Sequence, residues 1–213
     1  MILCTSASPE YFNDYFDLWV SQCNKFYPEL KKHIALFKPS KEDIRKCEFN
    51  GVDVTDLSDF IDKDKPEREY FFAMRWLSML PLLETKEDLL LMQINCIPIK
   101  KQTFVDFEED QYRMGHFKKG EVTGLSAQIF HHSTAVKVVE KAKEIIKSPP
   151  EFDDVMDMWM RNNFSTKFEL CVQRVTEKDI DIKSYAHWII TRSGNGPVKI
   201  ENDAKLGILE RFI

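Results

Sequence analysis

No stretch of the sequence reaches the eighteen consecutive apolar residues that a membrane-spanning helix needs, so none reads as one. Residues 1–7, Met-Ile-Leu-Cys-Thr-Ser-Ala, lack both the basic start and the long apolar core of a signal peptide, and a cytoplasmic protein is expected. No C-x-x-C occurs. The five cysteines (Cys4, Cys23, Cys47, Cys96 and Cys171) are odd in number and widely spaced, which argues against a disulfide framework or a zinc site and for reduced, mostly buried thiols. A P-loop, G-x-G-x-x-G, H-E-x-x-H and G-x-S-x-G are also missing, which weighs against the common ATPase, Rossmann, zinc-protease and α/β-hydrolase readings. A surplus of positive charge is lacking as well. The formal net charge is −5, whereas phosphate contacts need clustered Lys and Arg. Lys31-Lys32, Lys100-Lys101 and Lys118-Lys119 form pairs, but such pairs are common on solvated surfaces.

What is present suits one large globular domain over residues 1–213, with 43% hydrophobic and 31% charged residues. Sixteen Phe and four Trp supply enough large apolar side chains for a core without covalent staples.

A short apolar run from Met1 to Cys4, ending at Thr5-Ser6-Ala7, reads as a buried strand. Ser8-Pro9-Glu10 then carries a cap, a proline at the first helical position and an acid in the first turn. Apolar residues at 12, 15, 16, 19, 23 and 26 predict an amphipathic helix over 9–26, and residues 32–37 read as a second strand. Strand, helix, strand implies a right-handed crossover and a parallel sheet. Residues 41–65 are polar and acidic with little periodicity, and read as short pieces and loop.

A second helix is expected from Pro66 to about Leu80, apolar on nearly every face and therefore buried. Residues 88–95 form an almost continuous apolar run, the pattern of a central parallel strand, with an edge segment at Ile97-Pro98-Ile99. Residues 106–120 are charged and read as a loop. A strand over 122–130, a helix capped by Ser133 and ending at Lys147, and a helix over 152–163 follow. Phe168, Leu170 and Val172 alternate as a strand, and 184–191 read as the last one. The expected class is α/β, a mostly parallel central sheet flanked by helices.

In such a sheet, ligands bind beyond the carboxyl ends of the strands. Thr5-Ser6-Ala7 lies at one such end. Its hydroxyls beside a helix start suit a nucleotide, or they line a capped turn. Gln93 and Asn95 lie at the other, on the same side of the expected strand, as ligand donors or as partners of the next turn. Arg75 sits inside an apolar helix and needs an anionic partner, either a carboxylate or a phosphate. His131-His132 are sequence neighbours whose side chains diverge, so joint metal binding is not expected. His187 lies in an apolar strand and reads as a satisfied core residue. Asp153-Asp154 opens a helix, with Asp157 one turn further on, either as a shared acidic face or as the acids that a helix start favours.

Taken together, these segments resemble the nucleotide-sugar-dependent glycosyltransferases of the GT-A fold. Ile2-Leu3-Cys4-Thr5-Ser6-Ala7, Tyr11 and Leu18-Trp19-Val20-Ser21-Gln22-Cys23 resemble that family's first strand and helix, where the intervening loop holds the base. Phe72-Ala73-Met74-Arg75-Trp76 through Leu89 to Ile97 resembles its buried helix and the strand ending in D-x-D. The strand containing Gly124, and Asp153-Asp154-Val155-Met156-Asp157, resemble the part that shapes the acceptor side.

The resemblance implies a nucleotide-sugar donor, a UDP-sugar first, bound through Thr5, Ser6, Ala7, Tyr11, Arg75, Gln93 and Asn95. It implies a catalytic base among Asp153, Asp154 and Asp157, and a hydroxyl acceptor. The D-x-D positions hold Gln93 and Asn95, whose amides are weak ligands, so Mn²⁺ or Mg²⁺ would rest on Asn95 and His187. The alternatives are a metal-independent enzyme, a silent relative that binds a nucleotide sugar or a partner protein, and an unrelated α/β interaction protein. The chain also resembles small phage-encoded glycosyltransferases that modify hydroxymethylated bases in DNA. That implies a DNA acceptor, a groove formed by the lysine pairs and location in the host cytoplasm.

Overall fold

Ser8 and Pro9 act where the sequence places them. In a computed structural model, residues 1–60, 75–104, 111–118, 121–122, 127–147, 155–174 and 188–190 are described. Strand β1 (Ile2–Ala7) ends next to Ser8, whose Oγ accepts the Tyr11 N–H at 3.4 Å and caps helix α1 (Pro9–Phe26). The Tyr27 N–H closes α1 on the Cys23 carbonyl at 2.8 Å. Strand β2 (Lys31–Leu36) returns parallel to β1, in register from Ile2 opposite Lys31 to Ala7 opposite Leu36.

Residues 41–60 hold more regular structure than their composition suggests, and 61–65 lie outside the described residues. Helix α2 (Lys41–Phe49) begins with a capping box: Ser40 Oγ accepts the Asp43 N–H at 3.1 Å, and Asp43 Oδ2 accepts the Ser40 N–H at 2.8 Å. The helix buries only Cys47, so its apolar stripe is too thin to show as periodicity. Gly51, at φ 67°, turns the chain into β3 (Val52–Asp56), which pairs parallel with β2.

On the other side of β1 the chain enters through a helical turn at 75–77 and a 3₁₀ segment, Leu80–Thr85. Strand β4 (Leu89–Met92) then lies parallel to β1. It is shorter than expected, because a turn replaces its last three residues, and β5 (Cys96–Pro98) follows as an edge strand. The remaining elements are β6 (Gln111–Lys118), β7 (Glu121–Val122), β8 (Ala127–Phe130), α3 (His132–Lys147), α4 (Val155–Asn163), β9 (Ser165–Arg174) and β10 (Trp188–Ile190). The expected loop over 106–120 is corrected by β6. Charge disguised this strand, which sits between β8 and β9.

The strand order is β3-β2-β1-β4-β8-β6-β9-β10-β5, with β7 on β6. Among the described residues five of nine strand pairings are parallel, giving the expected α/β class with helices on the sheet. No described helix is long and apolar enough to cross a membrane.

Alternation along the strands sorts the core into two faces. Leu3, Ala7, Ile34, Leu36, Leu90, Met92 and Ile129 meet Phe12, Phe16, Trp19 and Val20 of α1. Ile2, Cys4, Ala35, Leu89, Leu91 and Phe130 meet Trp76, Leu77, Met79, α3 and α4. Cys4, Cys23, Cys47 and Cys96 are free and buried, as expected of reduced thiols.

Candidate functional site

Parallel pairing brings the carboxyl ends of β1, β2, β3 and β4 to one edge of the sheet. Cys4 lies opposite Leu91, so the register carries Ser6 to the level of Gln93. Two of the expected nucleotide-contacting positions, Ser6 and Gln93, far apart in sequence, thus meet at one edge. Ser6 and Gln93 are partly exposed there, and the Ala7 carbonyl accepts the Phe37 N–H at 3.4 Å. Tyr11, half-buried in the first turn of α1, stacks on Tyr15 with ring centroids 5.8 Å apart.

Gln93 and Asn95 do not continue a strand. The Cys96 N–H donates to the Gln93 carbonyl at 2.8 Å, which closes a turn over 93–96. The pair therefore lacks the strand periodicity that would set both side chains on one side, and the turn leaves Gln93 partly exposed and Asn95 buried. Thr5 is fully buried on the α1 side of the sheet, and its Oγ1 meets no hydrogen-bond partner among the described residues.

Arg75 is buried at 7% exposure, with its guanidinium 5.9 Å from the Trp76 ring centroid. Burial pushes the Cys96 thiol up to about 12, and the Arg75 charge offsets part of that rise. Burial also raises the Cys4 thiol, again against Arg75. Arg75 is thus within electrostatic reach of Cys4 on β1 and of Cys96 at the end of the turn. At the same edge, after β2, Lys38 adopts φ 48°; its N–H donates to Ser58 Oγ at 2.9 Å and its ammonium lies 4.7 Å from the Phe37 ring centroid. Sequence reading passed over Lys38. The signal was its place directly after a strand on the ligand edge.

Asp153, Asp154 and His187 lie outside the described residues. Asp157 lies in α4, with only its backbone described.

The divalent metal of the resembled family requires carboxylates at the turn. Residues 89–99 contain no Asp or Glu, and the amides of Gln93 and Asn95 supply no negative charge to offset a dication. The turn does not fit that metal.

One expectation about histidine is overturned. His131 and His132 do not diverge: their ring centroids lie 4.4 Å apart, and both approach Asp88, which lies beside them because Leu89 pairs with Phe130. Ser133 is not the cap of α3. The helix starts at His132, the His131 carbonyl accepts the Ala135 N–H at 3.0 Å, and Asp88 Oδ1 accepts the His132 N–H at 3.2 Å. Sequence spacing could not reveal this group, because Asp88 comes from another strand.

The sequence matches no protein-family model and no curated protein. Solved structures do match. The galactosyltransferase LgtC in complex with donor and acceptor sugar analogs superposes with a TM-score of 0.63 at 11% identity, over 100% of this chain and 94% of that one. The glycosyltransferase GlyE of Streptococcus pneumoniae TIGR4 gives a TM-score of 0.62 at 11% identity, over 97% of this chain and 60% of that one. A glycosyltransferase involved in glycosylation of the major capsid of PBCV-1 gives 0.51 at 8% identity, over 91% and 96%. At these identities the likeness is one of architecture, and the chain has the fold of the GT-A glycosyltransferases.

Proposed function

We propose that this protein is a glycosyltransferase that moves a sugar from a nucleoside-diphosphate donor, a UDP-sugar first, to a hydroxyl acceptor without a metal at the turn. One observation carries the reading. The edge where Ser6 meets the turn that starts at Gln93 belongs to a chain whose full length superposes on an enzyme bound to donor and acceptor sugar analogs. Ser6 and Tyr11 would hold the base and ribose. Gln93 and Asn95 would donate amide N–H groups to the ribose or diphosphate. Arg75 would face the negative charge that grows on the leaving diphosphate.

In the reaction the acceptor oxygen bonds to the anomeric carbon, and the bond from that carbon to the diphosphate oxygen breaks. The hydroxyl proton passes to a carboxylate, for which Asp153, Asp154 and Asp157 are the candidates. The nucleoside diphosphate leaves with the electron pair.

A second reading, a silent relative that binds a nucleotide sugar, is favoured by the neutral pair at Gln93 and Asn95. For DNA as the acceptor, three of the paired lysines are already engaged. Lys32 is buried with its Nζ on the Leu30 carbonyl at 3.0 Å, Lys31 lies 3.7 Å from Glu87, and Lys101 pairs with Glu29 at 2.9 Å.

Thermal unfolding with UDP, GDP and several nucleotide sugars, each with and without Mn²⁺, tests the proposal. The expected result is a saturable rise with one nucleotide that does not depend on Mn²⁺, followed by donor turnover that Asp153→Asn or Asp154→Asn abolishes. Binding without turnover gives the silent relative. No rise with any nucleotide at millimolar concentration sinks both readings.

A further inference from the structure

Asp88, His131 and His132 each offer a ligand atom, and these atoms lie within 4.8 Å of one another at the partly exposed amino end of β4. Gln93 and Asn95 are at the other end of that strand, roughly 16 Å away at about 3.3 Å per residue. The two places are therefore separate sites.

We propose that Asp88, His131 and His132 bind a divalent transition metal of the zinc class, tying the start of β4 to the start of α3. Imidazole with carboxylate is the donor set such ions prefer, and three protein ligands leave one position for water. Ligand atoms around tetrahedral zinc lie roughly 3.4 Å apart.

The surroundings hold the donors ready. His131 Nδ1 lies 2.8 Å from Ser133 Oγ; with the ring proton on Nδ1 and donated to that oxygen, Nε2 is left to coordinate, and the longer 3.4 Å bond that Nδ1 accepts from the Ser133 N–H is given up. Asp88 Oδ1 accepts the His132 N–H, which leaves Oδ2 available. The neighbouring acid, Glu87, is occupied by the Met1 amino group at 2.7 Å. The positive end of α3 opposes a cation, and the Asp88 charge offsets it.

These contacts also cap a helix, and capping alone would explain them. The two accounts differ in a titration of tag-free, full-length protein with Co²⁺ and Zn²⁺. A metal site gives one equivalent of Co²⁺ bound, visible d–d bands of a four-coordinate ion, displacement by Zn²⁺ and a rise in melting temperature with Zn²⁺. His132→Ala should weaken Co²⁺ binding by more than about 10-fold, since even the outer partners of such ligands act on that scale. Asp88→Asn keeps an oxygen for the His132 N–H but removes the charge. It should fold normally, as judged by metal-free melting, and also lose affinity.

No binding up to millimolar Co²⁺ overturns the proposal. So does binding that survives in His132→Ala and Asp88→Asn, or a sulfur-to-cobalt charge-transfer band, which would place the ion on cysteines. Nucleotide binding at the far end of β4 is measured separately, so failure of either site leaves the other intact.

Discussion

The two faces of the sheet are built differently. The α1 face is filled mainly by Phe12, Phe16 and Trp19 of one helix, with Cys47 of α2 beside them. The opposite face is covered by pieces from distant parts of the chain: the 75–82 segment, α3 and α4. Across it runs a register row, His33 on β2, Cys4 on β1, Leu91 on β4 and Gln128 on β8. His33 and Gln128 are buried, and neither His33 Nε2 nor the Gln128 amide has a hydrogen-bond partner among the described residues. Ser6 lies on this same face, two residues beyond Cys4. The row thus sets buried polar atoms beneath the edge assigned to the donor, while on the α1 face Thr5 Oγ1 and Trp19 Nε1 also lack a hydrogen-bond partner among the described residues.

The largest test of this contrast is Trp19→Ala. Trp19 is fully buried, and its loss should cost about 3–5 kcal/mol in denaturant unfolding. A cost under about 1 kcal/mol would show that α1 is not the main seal. Acid gives the next effect. Burial holds His33 down to about 4, with Asp53 on β3 offsetting part of the shift, against about 6.5 for an ordinary histidine. Between those values the unfolded chain binds the extra proton and the folded one does not. Stability should therefore fall as pH drops through that window, by on the order of 3 kcal/mol. In His33→Leu the pH dependence over this window should flatten; an unchanged slope would assign the acid sensitivity elsewhere. The smallest effect is that of Gln128→Leu, which removes two unsatisfied atoms from the interior. Stability should hold or rise by about 1 kcal/mol. A loss of over ~2 kcal/mol would mean that the amide has a partner.

How well a region could be read from sequence follows the same division. Ser8, Pro9 and the apolar spacing of 9–26 predict α1 to the residue, because one helix meets one face and its period is undisturbed. Helix α2 was hidden because only Cys47 goes inside, although Ser40 and Asp43 mark its start. Strand β6 was hidden because its flanks are charged and Gly115 interrupts it, while its pairing comes from β8 and β9. At the site, Ser6 and Gln93 were legible as strand ends. The 93–96 turn was not, because an apolar run does not reveal where hydrogen bonding to β1 stops. Asp88, His131 and His132 were out of reach, since a shared corner requires knowing that β4 and β8 run antiparallel.

The position of β1 has a consequence for synthesis. Residues 1–60 can complete β1, β2 and β3 as a local unit, but the other flank of β1 belongs to β4, which ends at residue 92. Until then the nascent chain carries a hydrophobic strand with one side unpaired. At typical elongation rates of about 5–20 residues per second, that side stays open for seconds. The ribosome-bound intermediate, rather than the finished fold, is where this protein is most exposed to wrong pairing.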